Sequence, residues 1–147
     1  MEDHKTILLV EDNPQDEKLI LRTLRKINLA NEVFVVRDGQ QALDYLLREG
    51  DFSQRQGGNP TVVMLDVNLP RVSGIEVLER LRQDERTHLL PIVMLTSSDE
   101  EQDRMRSYAG GANSFVRKPL DFAQFAETVA QLGVYWLAVN QAPGRTE

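Results

Sequence analysis

Residues 62–66 read Val62-Val63-Met64-Leu65-Asp66, four apolar residues that end in a single carboxylate. The run is too short for a helix and lacks the polar alternation of a half-exposed strand, so it predicts a strand covered on both faces. Comparable runs stand at residues 6–10, 32–36, 92–95 and 114–116, and apolar residues at helical spacing fill the intervals between them. Strand and helix alternate five times, which is the pattern of a doubly wound α/β domain: a five-stranded parallel sheet with helices on both faces. In such a sheet the carboxyl ends of several strands share one edge, and open α/β sheets place their chemistry there. The 6–10 run leads into Glu11 and Asp12, so Glu11, Asp12 and Asp66 are expected to meet at that edge. Their mutual repulsion raises at least one pKa unless a cation joins them, and an all-oxygen donor set favours magnesium or calcium over zinc. The site reads as phosphoryl chemistry.

The chain has 147 residues, enough for one domain with a real core. We expect a single domain over residues 1–147, with its core at 6–132 and a helical extension and tail at 133–147. The absence of cysteine removes disulfides, thiolate nucleophiles and thiolate zinc sites together, and fits a reducing compartment, with cytoplasm the expectation. No apolar stretch reaches the roughly 18 residues of a membrane span, and Met1-Glu2-Asp3-His4 lacks the basic start of a signal peptide. The net charge is −6 with basic residues scattered along the chain, so no footprint for nucleic acid is visible and no membrane partner is expected. The chain ends soon after its last helix, which is expected to leave no output module.

The first helix has a legible start, Asn13 as N-cap and Pro14 at the first helical position, with Ile20, Leu24 and Ile27 on one face. A second begins near Gly39 and buries Ala42, Leu43, Leu46 and Leu47; residues 48–60 then read as a long polar, glycine-rich loop. Ile75, Leu78 and Leu81 mark the third. Ser98 and Glu101 form a capping box for the fourth, whose apolar face of Met105, Tyr108 and Ala109 is thin, so this element is expected to be the least firmly docked. The last starts at Asp121, with Gln124 at the matching cap position, and carries Phe122, Phe125, Ala126, Val129, Leu132 and Trp136 at helical spacing. Tyr135, Leu137 and Val139 lie off that stripe. The surplus apolar surface makes Tyr135, Trp136 and Leu137 candidates for a symmetric homodimer.

Five alternating units bearing Glu11-Asp12, Asp66, Thr96 and Lys118-Pro119, each at a different strand end, resemble the receiver domain of two-component response regulators, a flavodoxin-like fold. The likeness covers residues 6–132. The pattern Leu65-Asp66-Val67-Asn68-Leu69-Pro70, the long loop before it and the aromatic C-terminus look like the small stand-alone regulators that partner bacterial phytochrome kinases. The resemblance implies that Asp66 accepts a phosphoryl group from a histidine kinase. It implies magnesium held by Asp12, Asp66, the backbone carbonyl of Asn68 and, through water, Glu11. Lys118 would clamp the phosphoryl group, aimed inward by a cis bond before Pro119. Thr96 would donate to the new phosphate, and Phe115 would move inward with it. The change of surface is expected to centre on residues 97–108. Asn68 and Ser98 flank the path of attacking water and are expected to set the lifetime of the phosphate.

Each feature has a plainer reading. Glu11 and Asp12 could merely favour the next helix N-terminus, worth about 0.3–1 kcal/mol. Asp66 could be a structural partner of Lys118, which explains only part of the set. Thr96 and Phe115 alone read as strand-end and core residues, and His4 and His88 as solvated. A phosphatase with an aspartate nucleophile is a rival enzyme class, but it needs a second acid two residues on, where Asn68 stands. A phosphorylation-independent dimer scaffold is the other rival, and the intact acid, threonine and lysine set argues against it.

Overall fold

The strands lie at Thr6–Val10 (β1), Glu32–Val36 (β2), Val62–Leu65 (β3), Ile92–Thr96 (β4) and Ser114–Arg117 (β5). They belong to a computed structural model that describes residues 4–30, 32–97, 100–119, 121–141 and 143. β4 and β5 each run one residue beyond the expected end. Every pairing is parallel and the order is β2-β1-β3-β4-β5, so the winding direction switches between β1 and β3. The helices are Pro14–Ile27 (α1), Gly39–Leu47 (α2), Gly74–Gln83 (α3), Glu101–Ala109 (α4) and Phe122–Val134 (α5).

Successive strand residues point to opposite faces, and here both faces are buried, which is why the runs are apolar throughout. Leu8, Val10, Val63 and Leu65 pack with Ala42, Leu43 and Leu46 of α2 and with Ile75, Leu78 and Leu81 of α3. Ile7, Leu9, Val62 and Met64 meet Ile20 and Leu24 of α1 and Phe125 and Val129 of α5. Each such valine, leucine, isoleucine, methionine or phenylalanine side chain contributes about 1.5–3 kcal/mol through burial.

The helix starts are set locally. Asn13 Oδ1 accepts from the N–H groups of Gln15 and Asp16 at 2.9 and 3.1 Å, Ser73 Oγ accepts from Glu76 at 3.2 Å, and Asp121 Oδ1 accepts from Ala123 and Gln124 at 2.7 and 3.2 Å. The capping box expected from Ser98 lies outside the described residues. The N-cap of α4 is Glu100, whose side chain makes no capping bond.

Four expectations need correction. Met105, Tyr108 and Ala109 face solvent, the first two 63% and 53% exposed; α4 docks through buried Ser107 and the following Gly110, small residues that allow close approach to Leu78. Phe122, the first residue of α5, is 60% exposed and does not share the burial of Phe125 and Val129. Residues 48–60 are not a plain loop. They hold a 3₁₀ turn, Gly50–Phe52, whose Phe52 ring meets Tyr45 and Phe34. Arg55 lies over the Tyr45 ring at 4.2 Å and donates to the Tyr45 carbonyl at 2.8 Å, while Arg48 donates to the carbonyls of Arg55 and Gly57. Backbone carbonyls that a polar loop would give to water are thus satisfied by two arginines.

The fourth concerns the C-terminus. The helix continues past Val134 as a π-helical turn, Tyr135–Val139, closed by the Asn140 N–H donating to the Tyr135 carbonyl at 2.6 Å. The wider turn turns both Trp136 and Leu137 toward the second core cluster, where they are 8% and 2% exposed. Lys5 donates to the Leu137 carbonyl and ties the turn to the chain's N-terminal end. Trp136 and Leu137 therefore serve this chain's own core, not a dimer surface; Val134, Tyr135 and Val139 remain exposed.

Candidate functional site

Strand register brings the sequence-predicted residues together. Val10 pairs with Val36 on one side and Leu65 on the other, so Glu11 and Asp66 emerge side by side one residue later. Their backbones continue the ladder: Glu11 N–H donates to the Val36 carbonyl at 3.1 Å and Asp66 N–H to the Val10 carbonyl at 3.2 Å. Leu65 pairs with Met94, which brings the end of β4 and the buried Thr96 beside Asp66; Thr96 pairs with Arg117, and Lys118 N–H donates to the Thr96 carbonyl at 2.7 Å.

The carboxylates of Glu11, Asp12 and Asp66 have ligand oxygens within 4.8 Å of one another. Glu11 and Asp66 are buried and Asp12 is exposed, so the cluster opens to solvent on one side. Lys118, itself buried, donates from Nζ to Glu11 Oε1 at 2.7 Å, Asp16 Oδ2 at 2.9 Å and Asp66 Oδ2 at 3.1 Å. The second oxygen of each buried acid is also occupied: Glu11 Oε2 accepts from the Asn13 N–H at 3.1 Å and Asp66 Oδ1 from the Asn68 N–H at 3.2 Å.

Burial pushes the Glu11 carboxyl up to about 7, with the Asp66 charge adding to the rise and the Lys118 hydrogen bond opposing it. For Lys118 burial acts downward, but the Asp66 charge and the hydrogen bonds to Glu11 and Asp16 outweigh it and hold the ammonium above the ordinary lysine value. One lysine faces four acids here, and a hard cation suits what it leaves uncompensated. The donor set of three carboxylates fits a hard divalent cation such as magnesium.

Asp16 is the functional-site residue that sequence reasoning missed. It stands four residues after Asp12, in the first turn of α1, and its signal was an acid beside the expected edge, two residues after Pro14 of the Asn-Pro cap. Phe115 lies on β5 opposite Met94, partly buried against the α2 and α3 side of the core. The cis bond expected before Pro119 is a correction: no cis peptide occurs among the described residues. Trans is the lower-energy isomer by about 0.5–1 kcal/mol, and the Lys118 side chain reaches all three carboxylates from that backbone. His88 Nδ1 lies 3.0 Å from the Glu85 carbonyl, far in sequence from any cluster acid, in keeping with a solvated histidine.

Two tight approaches hold the acids in place. A Cβ on Gly74 would stand 1.9 Å from the Asp66 carbonyl oxygen, and one on Gly39 would stand 1.9 Å from the Val72 carbonyl oxygen. The starts of α3 and α2 therefore press directly on the segment that carries Asp66 and Asn68, and only glycine fits at those contacts.

Comparison with known proteins agrees with this geometry. Residues 7–130 match the family model described as the response regulator receiver domain. The chain is 41% identical over 146 residues to the probable methanogenesis regulatory protein FilR2 of Methanothrix harundinacea, covering 97% of this chain and 90% of that one. The crystal structure of the phosphorylated cyanobacterial phytochrome response regulator RcpA superposes with a TM-score of 0.91 at 34% identity, over 97% of this chain and 100% of that one. The bacteriophytochrome response regulator RtBRR is 51% identical, with a TM-score of 0.76 over 96% of this chain and 85% of that one. With the acids, Thr96 and Lys118 at successive strand ends of a β2-β1-β3-β4-β5 sheet, and the family match running across nearly all of it, this chain belongs to the response regulator receiver domains.

Proposed function

We propose that this chain is a cytoplasmic phosphoacceptor of a two-component phosphorelay, taking a phosphoryl group from a histidine kinase onto Asp66. The observation that carries the reading is the buried Asp66 carboxylate, clustered with Glu11 and Asp12 and paired with Lys118 at 3.1 Å. A carboxylate is a poor nucleophile toward an anionic phosphoryl group, and the surroundings of Asp66 address that. An Asp66 oxygen bonds to phosphorus as the bond from phosphorus to the donor imidazole breaks, its electron pair leaving on that nitrogen. Lys118 donates to a phosphoryl oxygen, and the Asn68 N–H fixes the orientation of the Asp66 carboxylate. Asp12, Asp66, the Asn68 backbone carbonyl and, through water, Glu11 would hold magnesium, which would supply charge neutralisation on the transferred group.

Thr96 and Phe115 form the relay in this reading. The Thr96 hydroxyl donates to the new phosphate, Phe115 repacks inward, and the lightly docked α4 shifts with residues 97–108. Asn68, two residues after Asp66, flanks the approach of water and sets the phosphate lifetime; the matching role expected of Ser98 falls outside the described residues. The likeness to RcpA and RtBRR supports a phytochrome as the cognate kinase. Self-association is proposed through Val134, Tyr135 and Val139, the exposed apolar residues at the C-terminal end.

The test is intact mass after incubation with a small phosphodonor and magnesium, beside Asp66→Asn and a magnesium-free control. One phosphoryl adduct that is lost in both controls is expected. Normal labelling of folded Asp66→Asn would overturn the assignment.

A further inference from the structure

Lys118 has three ammonium protons and spends them on three carboxylates, one of which, Asp16, belongs to neither the acid pair nor the acceptor. We infer that Asp16 is a positioning residue that tethers Lys118 in the unphosphorylated protein and competes with the incoming phosphoryl group for its ammonium. The inference rests on the phosphoacceptor reading and deepens it.

The geometry separates this contact from ordinary helix-end electrostatics. An acid in the first helical turn favours the dipole whatever it touches. Asp16 instead reaches across 102 residues of sequence to a buried lysine at 2.9 Å. It is held there by the local cap: Asn13 Oδ1 accepts its backbone N–H at 3.1 Å, so the side chain projects from a fixed turn.

The three bonds differ in how they can be exchanged. The Glu11 bond is the shortest at 2.7 Å and is buried on both sides. Asp66 is the residue that gains the phosphoryl group, so its bond to Lys118 passes to a phosphoryl oxygen of the product. The Asp16 carboxylate is 21% exposed, the most open of the three, and water can solvate it once the ammonium turns away. Asp16 also places a negative charge beside the point where a dianionic group arrives. Both effects have one sign: Asp16 slows phosphorylation and weakens the grip of Lys118 on the product.

The experiment compares wild type, Asp16→Asn and Asp16→Glu, with acetyl phosphate and saturating magnesium, reading the rate of adduct formation and of adduct decay. Asp16→Asn is expected to form the adduct roughly two- to fivefold faster and to lose it more slowly, the scale of one partly exposed ion pair. Asp16→Glu, which keeps the charge, is expected to stay near wild type. In parallel, ¹⁵N NMR of the Lys118 ammonium in the unphosphorylated proteins reads the tether itself, and its protection from exchange is expected to fall in Asp16→Asn alone. Unchanged rates and unchanged protection in a folded Asp16→Asn would overturn the inference while leaving the phosphoacceptor reading intact. Slower formation in Asp16→Asn would reverse its sign and overturn it equally. No adduct on wild type would remove the phosphoacceptor reading and this inference with it.

Discussion

Gly74 lies against Asp66 so closely that a Cβ on the glycine would stand 1.9 Å from the Asp66 carbonyl oxygen. The contact is backbone to backbone, at the first residue of α3, and the Gly74 N–H donates to the Val67 carbonyl at 2.8 Å in the same turn. Neither partner is a flexible side-chain end that can swing aside. Gly74→Ala must therefore displace the segment carrying Asp66 and Asn68. We expect a loss of about 1–3 kcal/mol in urea unfolding and slower labelling of Asp66 by acetyl phosphate. An alanine variant with wild-type stability and labelling would show that the strand end yields freely.

Lys118 neutralises a site with more negative than positive charge. Lys118→Met leaves Glu11, Asp16 and Asp66 without their shared donor, and breaking a buried ion pair from one side costs about 3–5 kcal/mol when the remaining charge has no other outlet. Proton uptake by Glu11 reduces that cost. The loss should be largest in chelator, and magnesium should raise the thermal midpoint more in Lys118→Met than in wild type. Equal magnesium increments in the two proteins would count against a shared site.

Glu11 sets a pH dependence in the metal-free protein. Its folded pKa of about 7 stands above the unfolded value of 4.5, so the native state binds the extra proton between these values. That contribution is fully present below the unfolded pKa and is lost as pH rises through about 7, by about 3 kcal/mol at most. Urea midpoints in chelator should fall from about pH 5 to about pH 7.5 more steeply in wild type than in Glu11→Gln, which has no proton to lose. Parallel profiles for the two proteins would remove Glu11 as the cause.

The π-helical turn makes opposite predictions for neighbouring residues. Leu137→Ala should cost about 2–5 kcal/mol, since its side chain is 2% exposed in the second core cluster. Val139→Ser, at 61% exposure, should leave urea stability within about 0.5 kcal/mol. If the exposed end is an association surface, Tyr135→Ser with Val139→Ser should lower the mass seen by light scattering at high concentration. A mass equal to wild type would discard that surface.

Much of the architecture was legible because its signals are local. The doubly wound sheet followed from five continuous apolar runs, and Asn13-Pro14 and Asp121 each cap a helix through bonds spanning two or three residues. The acid cluster was legible for a related reason: parallel strands share an edge, so a residue ending one apolar run must lie near residues ending its neighbours. Side-chain exposure on short helices was less legible. α4 has so little apolar periodicity that Met105 and Tyr108 looked like its core face, yet the residue it buries is Ser107, and the Gly110 that follows stands close to Leu78 of α3, where a small residue allows the approach.

By itself, then, the amino-acid order determined the fold class, the strand positions to within a residue and the residue types at the acidic sheet edge, all encoded in periodicity and caps a few residues long. Only the tertiary structure decided that Lys118 serves Asp16 as well as Glu11 and Asp66, that residues 48–60 are pinned by Arg48 and Arg55, and that a π turn buries Leu137. Those contacts join groups far apart in sequence, or hinge on one added residue in a helical turn. Their energies depend on where other elements happen to stop, which no local pattern records.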